Sequence, residues 1–277
     1  MSSREVLAFL GGAGAGVIGA LAGLGGGIVI TPILTLGLEV PLHQALGASL
    51  VATIATSSGA AAAYVRDGLT NLRLGIFLEV ATTAGALSGA LIAGHVTTGT
   101  LYMVFGAALL ASLLPSLTRL SEEVPPQEQP DRFTAALRLG GGYDDRLTGN
   151  TVRYEPRRAP LGFVLMYGAG VLSGLLGIGS GPFKVLAMDA GMRIPMKVST
   201  ATSNFMIGVT ASASAWIYLR AGYIESSIAG PTALGALTGA WIGSLILPHL
   251  SNRSVRKLLI PVLIWMGAAM IRKGLAS

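Results

Sequence analysis

Gly23-Leu24-Gly25-Gly26-Gly27 recurs as Gly177-Ile178-Gly179-Ser180-Gly181, and the frame then holds without a gap as far as Gly68 and Gly222. Within it Pro41 falls on Pro195, Ser49 on Ser203, Thr56 on Thr210, Ser58 on Ser212 and Tyr64 on Tyr218. A short deletion then sets Gly85-Ala86-Leu87-Ser88-Gly89-Ala90 against Gly235-Ala236-Leu237-Thr238-Gly239-Ala240. Both glycine clusters interrupt apolar sequence. In a bilayer, backbone outside a helix is tolerated only where protein or a water-filled cavity satisfies its N–H and C=O groups. Apolar segments broken by Gly or Pro at matching places in two halves therefore point to a transporter's binding site.

The composition agrees with a membrane protein. Hydrophobic residues are 52% of the 277 and charged residues only 12%, against about 25% in a soluble domain. Seven of the thirteen acids and seven of the nineteen Lys/Arg lie between Arg119 and Arg158, so the net +6 belongs to the apolar remainder. Such an excess suits basic loops held against anionic lipid. No soluble basic module for nucleic acid is visible. There is no cysteine, and His43, His95 and His249 are scattered, so no metal site or cofactor is expected. Arg4 before Val6–Leu10 imitates a signal peptide, but its repeat partner, 161–174, is internal, so the segment is expected to be structural.

Apolar stretches near the twenty-residue spanning length cover 5–24, 43–65, 72–94 and 99–118, then 160–177, 196–219, 223–248 and 255–274. Two shorter ones, 28–38 and 182–192, follow the glycine clusters. The expected fold class is an all-α polytopic membrane protein of two homologous halves. Each half would carry a Gly-rich broken or re-entrant segment plus three spanning helices. The units are residues 1–118, a polar linker at 119–159, and 160–277. The linker is rich in Pro and Gly and is expected to be mobile, with a short helix at Arg132–Leu139. If the glycine clusters end full crossings, the repeats are parallel and Lys/Arg divide 13:5 between the two sides. If they are tips of re-entrant hairpins, the repeats are inverted and the division is 14:4, with Lys184 inside the hairpin. The positive-inside rule favours inversion and a cytoplasmic linker.

Several residues are candidates for anion binding. Gly25, Gly26, Gly27, Gly179, Ser180 and Gly181 can adopt backbone angles that expose successive N–H groups as an anion nest. The alternative is that these glycines only let helices pack closely. Lys184 is a cation in apolar sequence with Ile30 as its repeat partner. Intramembrane cations mark pathways or are paired, and Asp189 is the nearest counter-charge in sequence. Ser49, Ser203 and Asn204 follow the two clusters and can donate hydrogen bonds to an oxyanion. Equally, they can bond to their own backbone. Glu79, and Asp189 beside Lys184, are the acids able to take up a coupling proton. Thr53, Thr56 and Thr210 read as packing. Nothing resembles the constellation of an enzyme.

Gly23–Leu34 followed by Ala45-Leu46-Gly47-Ala48-Ser49-Leu50 resembles the signature of the TauE/SafE sulfite exporter family. Gly174–Gly181 with Ala201-Thr202-Ser203-Asn204 resembles its second motif. The resemblance implies a multi-pass inner-membrane protein that moves sulfite or an organosulfonate such as sulfoacetate, often outward, with the glycine loops and the Ser/Thr after them as the binding region. Gly-Ser-Gly-Pro-Phe-Lys at 179–184 departs from that family's usual Gly-Gly-Gly, which suggests a larger or dianionic substrate. The expected partners are thus a small anion and the bilayer, with no nucleic acid. Gly-xxx-Gly faces suit a homodimer as well as a monomer. The rivals are a passive anion channel on the same scaffold, and a membrane scaffold or sensor acting through 119–159.

Overall fold

The computed structural model describes residues 3–22, 26–113, 132–144, 151–246 and 252–276. Long apolar runs become long helices: α1 (Ser3–Ala22), α3 (Leu42–Arg66), α4 (Leu72–Ala93) and α5 (Thr98–Ala111). In the second half they are α7 (Ala159–Leu176), α9 (Met196–Arg220), α10 (Ser226–Ile246) and α11 (Asn252–Leu275). The short helices α2 (Gly27–Pro32) and α8 (Gly181–Leu186) each run into a π-helical turn, Ile33–Gly37 and Ala187–Gly191. Side-chain caps start some helices. The Asn71 side chain accepts from the Leu74 N–H, and the Thr97 hydroxyl from the Thr100 N–H, which satisfies donors that the first turn leaves open. Among the described residues Leu42–Arg66, Leu72–Ala93 and Ala159–Leu176 are long and apolar enough to cross a membrane. The protein is thus a helical membrane protein, and among the described residues the strands are confined to a small hairpin in the linker.

The duplication is structural and its frame is unbroken. Elements starting at residues 27, 33, 42, 72 and 98 have counterparts starting at 181, 187, 196, 226 and 252, a constant offset of 154. Irregular features obey the same offset. Glu39 and Arg193 are both left-handed, as are Gly68 and Gly222. Val40 N–H bonds Leu34 O, and Ile194 N–H bonds Met188 O. The short deletion expected before Gly235 is therefore absent: Gly85 corresponds to Gly239, and Glu79 to Ala233. The π turns occur after Pro32 in one half and after Leu186 in the other, so proline does not cause them.

Each half packs through the other. α1 lies along α10, and α7 along α4, at contacts where a side chain has no room. A Cβ on Gly16 would strike the Ala236 carbonyl, and one on Gly170 the Thr82 carbonyl. Gly85 and Gly89 face α7 backbone, while Gly235, Gly239 and Gly243 face α1. Small residues let membrane helices approach at backbone distance, where dispersion replaces the missing hydrophobic drive. The Gly-xxx-Gly faces on α4 and α10 are thus occupied within the chain. α3 and α9, which are repeat equivalents, run antiparallel: Gly47 meets Tyr223 and Gly208 meets Ser57.

The linker corrects an expectation. Its described part is not a loose tether: helix α6 (Arg132–Leu137) leads to strands β1 (Gly141–Asp144) and β2 (Thr151–Tyr154), paired antiparallel. Leu139, Tyr143 and Tyr154 share a core with Leu74, Leu78, Met188, Met192 and Val198. Asn71 secures it, donating from Nδ2 to Leu139 O (2.8 Å) and to the Tyr154 hydroxyl (3.0 Å). Burial pushes the Tyr154 phenol above its ordinary range, so it stays neutral at physiological pH. The Arg157 N–H bonds Met192 O at 3.0 Å. This unit therefore covers the end of the bundle where α4 and α9 begin.

Candidate functional site

Two broken hairpins, α1/α2 and α7/α8, meet in the interior between α3 and α9. In the second, Tyr218 near the end of α9 donates to Gly174 O and Leu175 O at 3.1 and 3.2 Å. At the open end a Cβ on Gly162 would strike Met192. The hairpin thus reaches along most of α9, and its return arm begins with a non-helical stretch. Gly177, Gly179 and Ser180 there have φ of 63°, 66° and 51°. This stretch passes Leu46 and Thr53 of α3 and Ile207 of α9. Gly26, the counterpart of Ser180, has φ 65°. Of the expected glycine nest, Gly25 lies outside the described residues. Gly181 and Phe183 precede the first intrahelical bond of α8, from Lys184 N–H to Ser180 O, while Pro182 has no N–H to offer.

Ser49 and Ser203 hold equivalent places. Ser203 Oγ donates to Gly181 O at 3.2 Å, and Ser49 Oγ lies 2.9 Å from Gly27 O. Ser49 is also 2.9 Å from Gly177 O, so one buried hydroxyl joins the two hairpins. Asn204 Nδ2 donates to Thr200 O at 3.0 Å. The hydroxyls of Ser49 and Ser203 are directed at hairpin backbone and position the hairpins, whereas the Asn204 amide bonds its own helix one turn back. The buried hydroxyls without a partner among the described residues include those of Thr31, Thr53, Ser173, Ser180 and Thr232, and of these Thr53 and Ser180 adjoin the non-helical stretch. Ser180 Oγ and Thr53 Oγ1 are both fully enclosed, and neither makes a hydrogen bond. A Cβ on Gly27 would run into Thr53 Oγ1, which places that hydroxyl at the first hairpin.

Lys184 is also fully buried. Its Nζ donates to Thr210 Oγ1 at 2.5 Å, and Thr210 donates to Glu79 Oε1 at 2.7 Å. Thr83 donates to the same carboxylate oxygen at 2.9 Å. The carboxylate acting on the Lys184 charge is Glu79, not Asp189, which is half-buried in the π turn and lies five residues on. Glu79 is 8% exposed, and its Oε2 has no partner. A buried polar atom without a hydrogen bond marks a place for water, an ion or a ligand. Sequence reasoning missed Thr210 and Thr53, taken as packing, and the Lys184–Thr210–Glu79 chain altogether. The one available signal was that Lys184 and Glu79 both lack a charged repeat partner, being matched by Ile30 and Ala233.

A helical bundle of two interlocked repeats, with broken helices and a buried charge pair between them, has the architecture of a membrane transporter. Residues 8–270 match the model of the family described as sulfite exporter TauE/SafE, and the chain belongs to that family. It is 27% identical over 270 residues to the probable membrane transporter protein YunE of Bacillus subtilis, covering 95% of this chain and 96% of the relative. A second probable membrane transporter protein of that organism, YdhB, is 24% identical, with 83% and 84% covered. The probable membrane transporter protein MJ0441 of Methanocaldococcus jannaschii is 24% identical, with 92% and 91% covered. No solved structure matches the chain.

Proposed function

We propose that this protein is a secondary transporter, working as an exporter in the inner membrane, for a small sulfur oxyanion such as sulfite or an organosulfonate. The observation that carries the reading is Lys184, a fully buried cation one turn below the unpartnered Ser180 hydroxyl. The anion sits against the non-helical stretch 177–181, with Thr53 and Ser180 donating to its oxygens and Lys184 supplying charge. First-turn N–H groups of α2 and α8 add donors, because helix starts favour negative charge. The antiparallel course of the equivalent helices α3 and α9 supports inverted repeats, which suit alternating access around a central site. Inversion also gathers Arg73, Arg193, Lys197 and the linker arginines at one end, the cytoplasmic one by the positive-inside rule.

The test is thermal stabilisation of purified protein by sulfite, thiosulfate, sulfate, sulfoacetate, taurine, phosphate and carboxylates. A ligand that binds only the folded state raises its stability as its concentration exceeds Kd. A shift confined to sulfite or sulfonates is expected. A shift with phosphate or carboxylate alone overturns the substrate class and leaves the transporter fold standing. Saturable flux in vesicles separates a carrier from a channel, whose flux does not saturate at modest turnover.

A further inference from the structure

The Lys184–Thr210–Glu79 chain exists once in a molecule built twice. At the equivalent positions stand Ile30, Thr56 and Ala233. The threonine is common to both halves: Thr56 donates to Ala52 O one turn back, and Thr210, whose one proton goes to Glu79, has Met206 O 2.9 Å away at the equivalent place. The charges have no counterpart at Ile30 and Ala233: Glu79 comes from the first half and Lys184 from the second, and they occur as a neutral pair. From α4 the groups facing the pair are Glu79 and Thr83, from α9 Thr210, and from α8 Lys184. Tyr167, the titratable group on the adjacent α7, bonds Ser88 more than two turns away. Asp189 belongs to the turn beyond α8, and the charged residues of α9, Lys197 and Arg220, stand at its two ends.

We propose that the anion is carried together with one proton, which Glu79 takes up as the anion replaces its carboxylate as the counter-ion of Lys184. This rests on the anion-transport reading above. An anion entering beside Lys184 would leave two negative charges against one buried positive charge, and an uncompensated charge in a low dielectric is strongly disfavoured. Protonation of Glu79 restores neutrality. The geometry accommodates it: the proton comes from solvent and sits on Oε2, the oxygen without a partner, while Oε1 keeps accepting from Thr83 and Thr210. Lys184 then turns to the anion, since an ammonium has three N–H donors and Thr210 engages one of them. The loaded site is neutral, so the cycle is electroneutral and outward anion movement carries a proton with it.

The experiment is calorimetric titration of the purified protein with methanesulfonate, whose own group stays ionised throughout, in buffers of different ionisation enthalpy. Uptake of about one proton per anion is expected, with affinity rising about tenfold for each unit fall in pH where Glu79 is ionised in the free protein. Glu79→Gln, which keeps the shape and an acceptor oxygen, should bind with no proton uptake and a flat pH profile. Wild-type binding without proton uptake overturns the proposal while leaving anion transport intact, as does unchanged uptake in Glu79→Gln. Failure of methanesulfonate, sulfoacetate and sulfite alike to bind overturns the transport reading and this proposal with it. Wild-type vesicles give an independent reading that needs no variant: methanesulfonate flux should acidify the receiving side and ignore an imposed membrane potential. Flux that follows the potential overturns the proposal.

Discussion

Ser49 and Ser180 are both fully buried serines beside the broken hairpins, and their surroundings assign them opposite roles. Ser49 lies at hydrogen-bond distance from a carbonyl of each hairpin, so Ser49→Ala leaves buried acceptors unsatisfied and should cost about 1–3 kcal/mol, read as a lower melting temperature in detergent. Ser180 makes no hydrogen bond and holds φ at 51°, a conformation that costs a residue with a Cβ about 1–2 kcal/mol. Gly26 occupies the equivalent place in the first half. Ser180→Gly should therefore keep or raise the melting temperature while weakening anion stabilisation. Loss of both together would mean that the hydroxyl serves the fold. Lys184→Met should abolish anion stabilisation more completely than it lowers stability. Wild-type affinity in a well-folded Lys184→Met protein would remove the cation from the site.

Helix contacts depend on glycine far more widely than binding does. A Cβ on Gly174 would be driven into the Ala86 carbonyl, and one on Gly239 into the Ala13 carbonyl. Gly174→Val and Gly239→Val must push α7 from α4 and α10 from α1, and forced overpacking of this kind costs about 1–3 kcal/mol. Both should lower the melting temperature, whereas Gly14→Ala, where a Cβ meets nothing within 4 Å, should not. The docked linker depends on Asn71, whose side chain caps α4 and holds both Leu139 O and Tyr154. Asn71→Ala removes the cap and two linker bonds, an expected loss of about 1–2 kcal/mol. Limited proteolysis should then cut within 132–154 faster than in the wild type. Unchanged cleavage would show that the apolar contacts of Tyr143 and Tyr154 hold the unit alone.

The arrangement of the halves makes one prediction about the entire molecule. Asp67 and Ala221 are exposed repeat equivalents at the ends of α3 and α9, and the chain contains no cysteine of its own. Asp67→Cys and Ala221→Cys, introduced singly, should react with a membrane-impermeant thiol reagent from opposite sides of the membrane. Labelling from the same side would mean parallel repeats and would dismantle the alternating-access geometry. Arg153→Cys in β2 should label from the side of Asp67→Cys, because the linker packs beside Asn71 at the start of α4.

Much of this was legible in the residues. Uninterrupted apolar runs, two glycine clusters in register and matched Pro41/Pro195 and Ser49/Ser203 suffice for a helical membrane protein made of two related halves, and the motifs around them for its family. The local reading failed where partners had to be chosen. These helices are apolar nearly all round, so periodicity carries no phase to say which face meets which neighbour. Glu79 and Lys184 stand on separate elements joined through a third, and only packing brings them to Thr210. The same absence of phase hid which glycines would be consumed inside the chain, and it let Asp189, near in sequence, stand in for the true counter-charge. The linker hairpin escaped because its strands are four residues long and gain stability by docking on Leu74, Met192 and Asn71. Chemistry, class and duplication are local properties of this chain, whereas the ion pair, the direction in which the equivalent helices run and the docked linker are properties of contacts between distant segments.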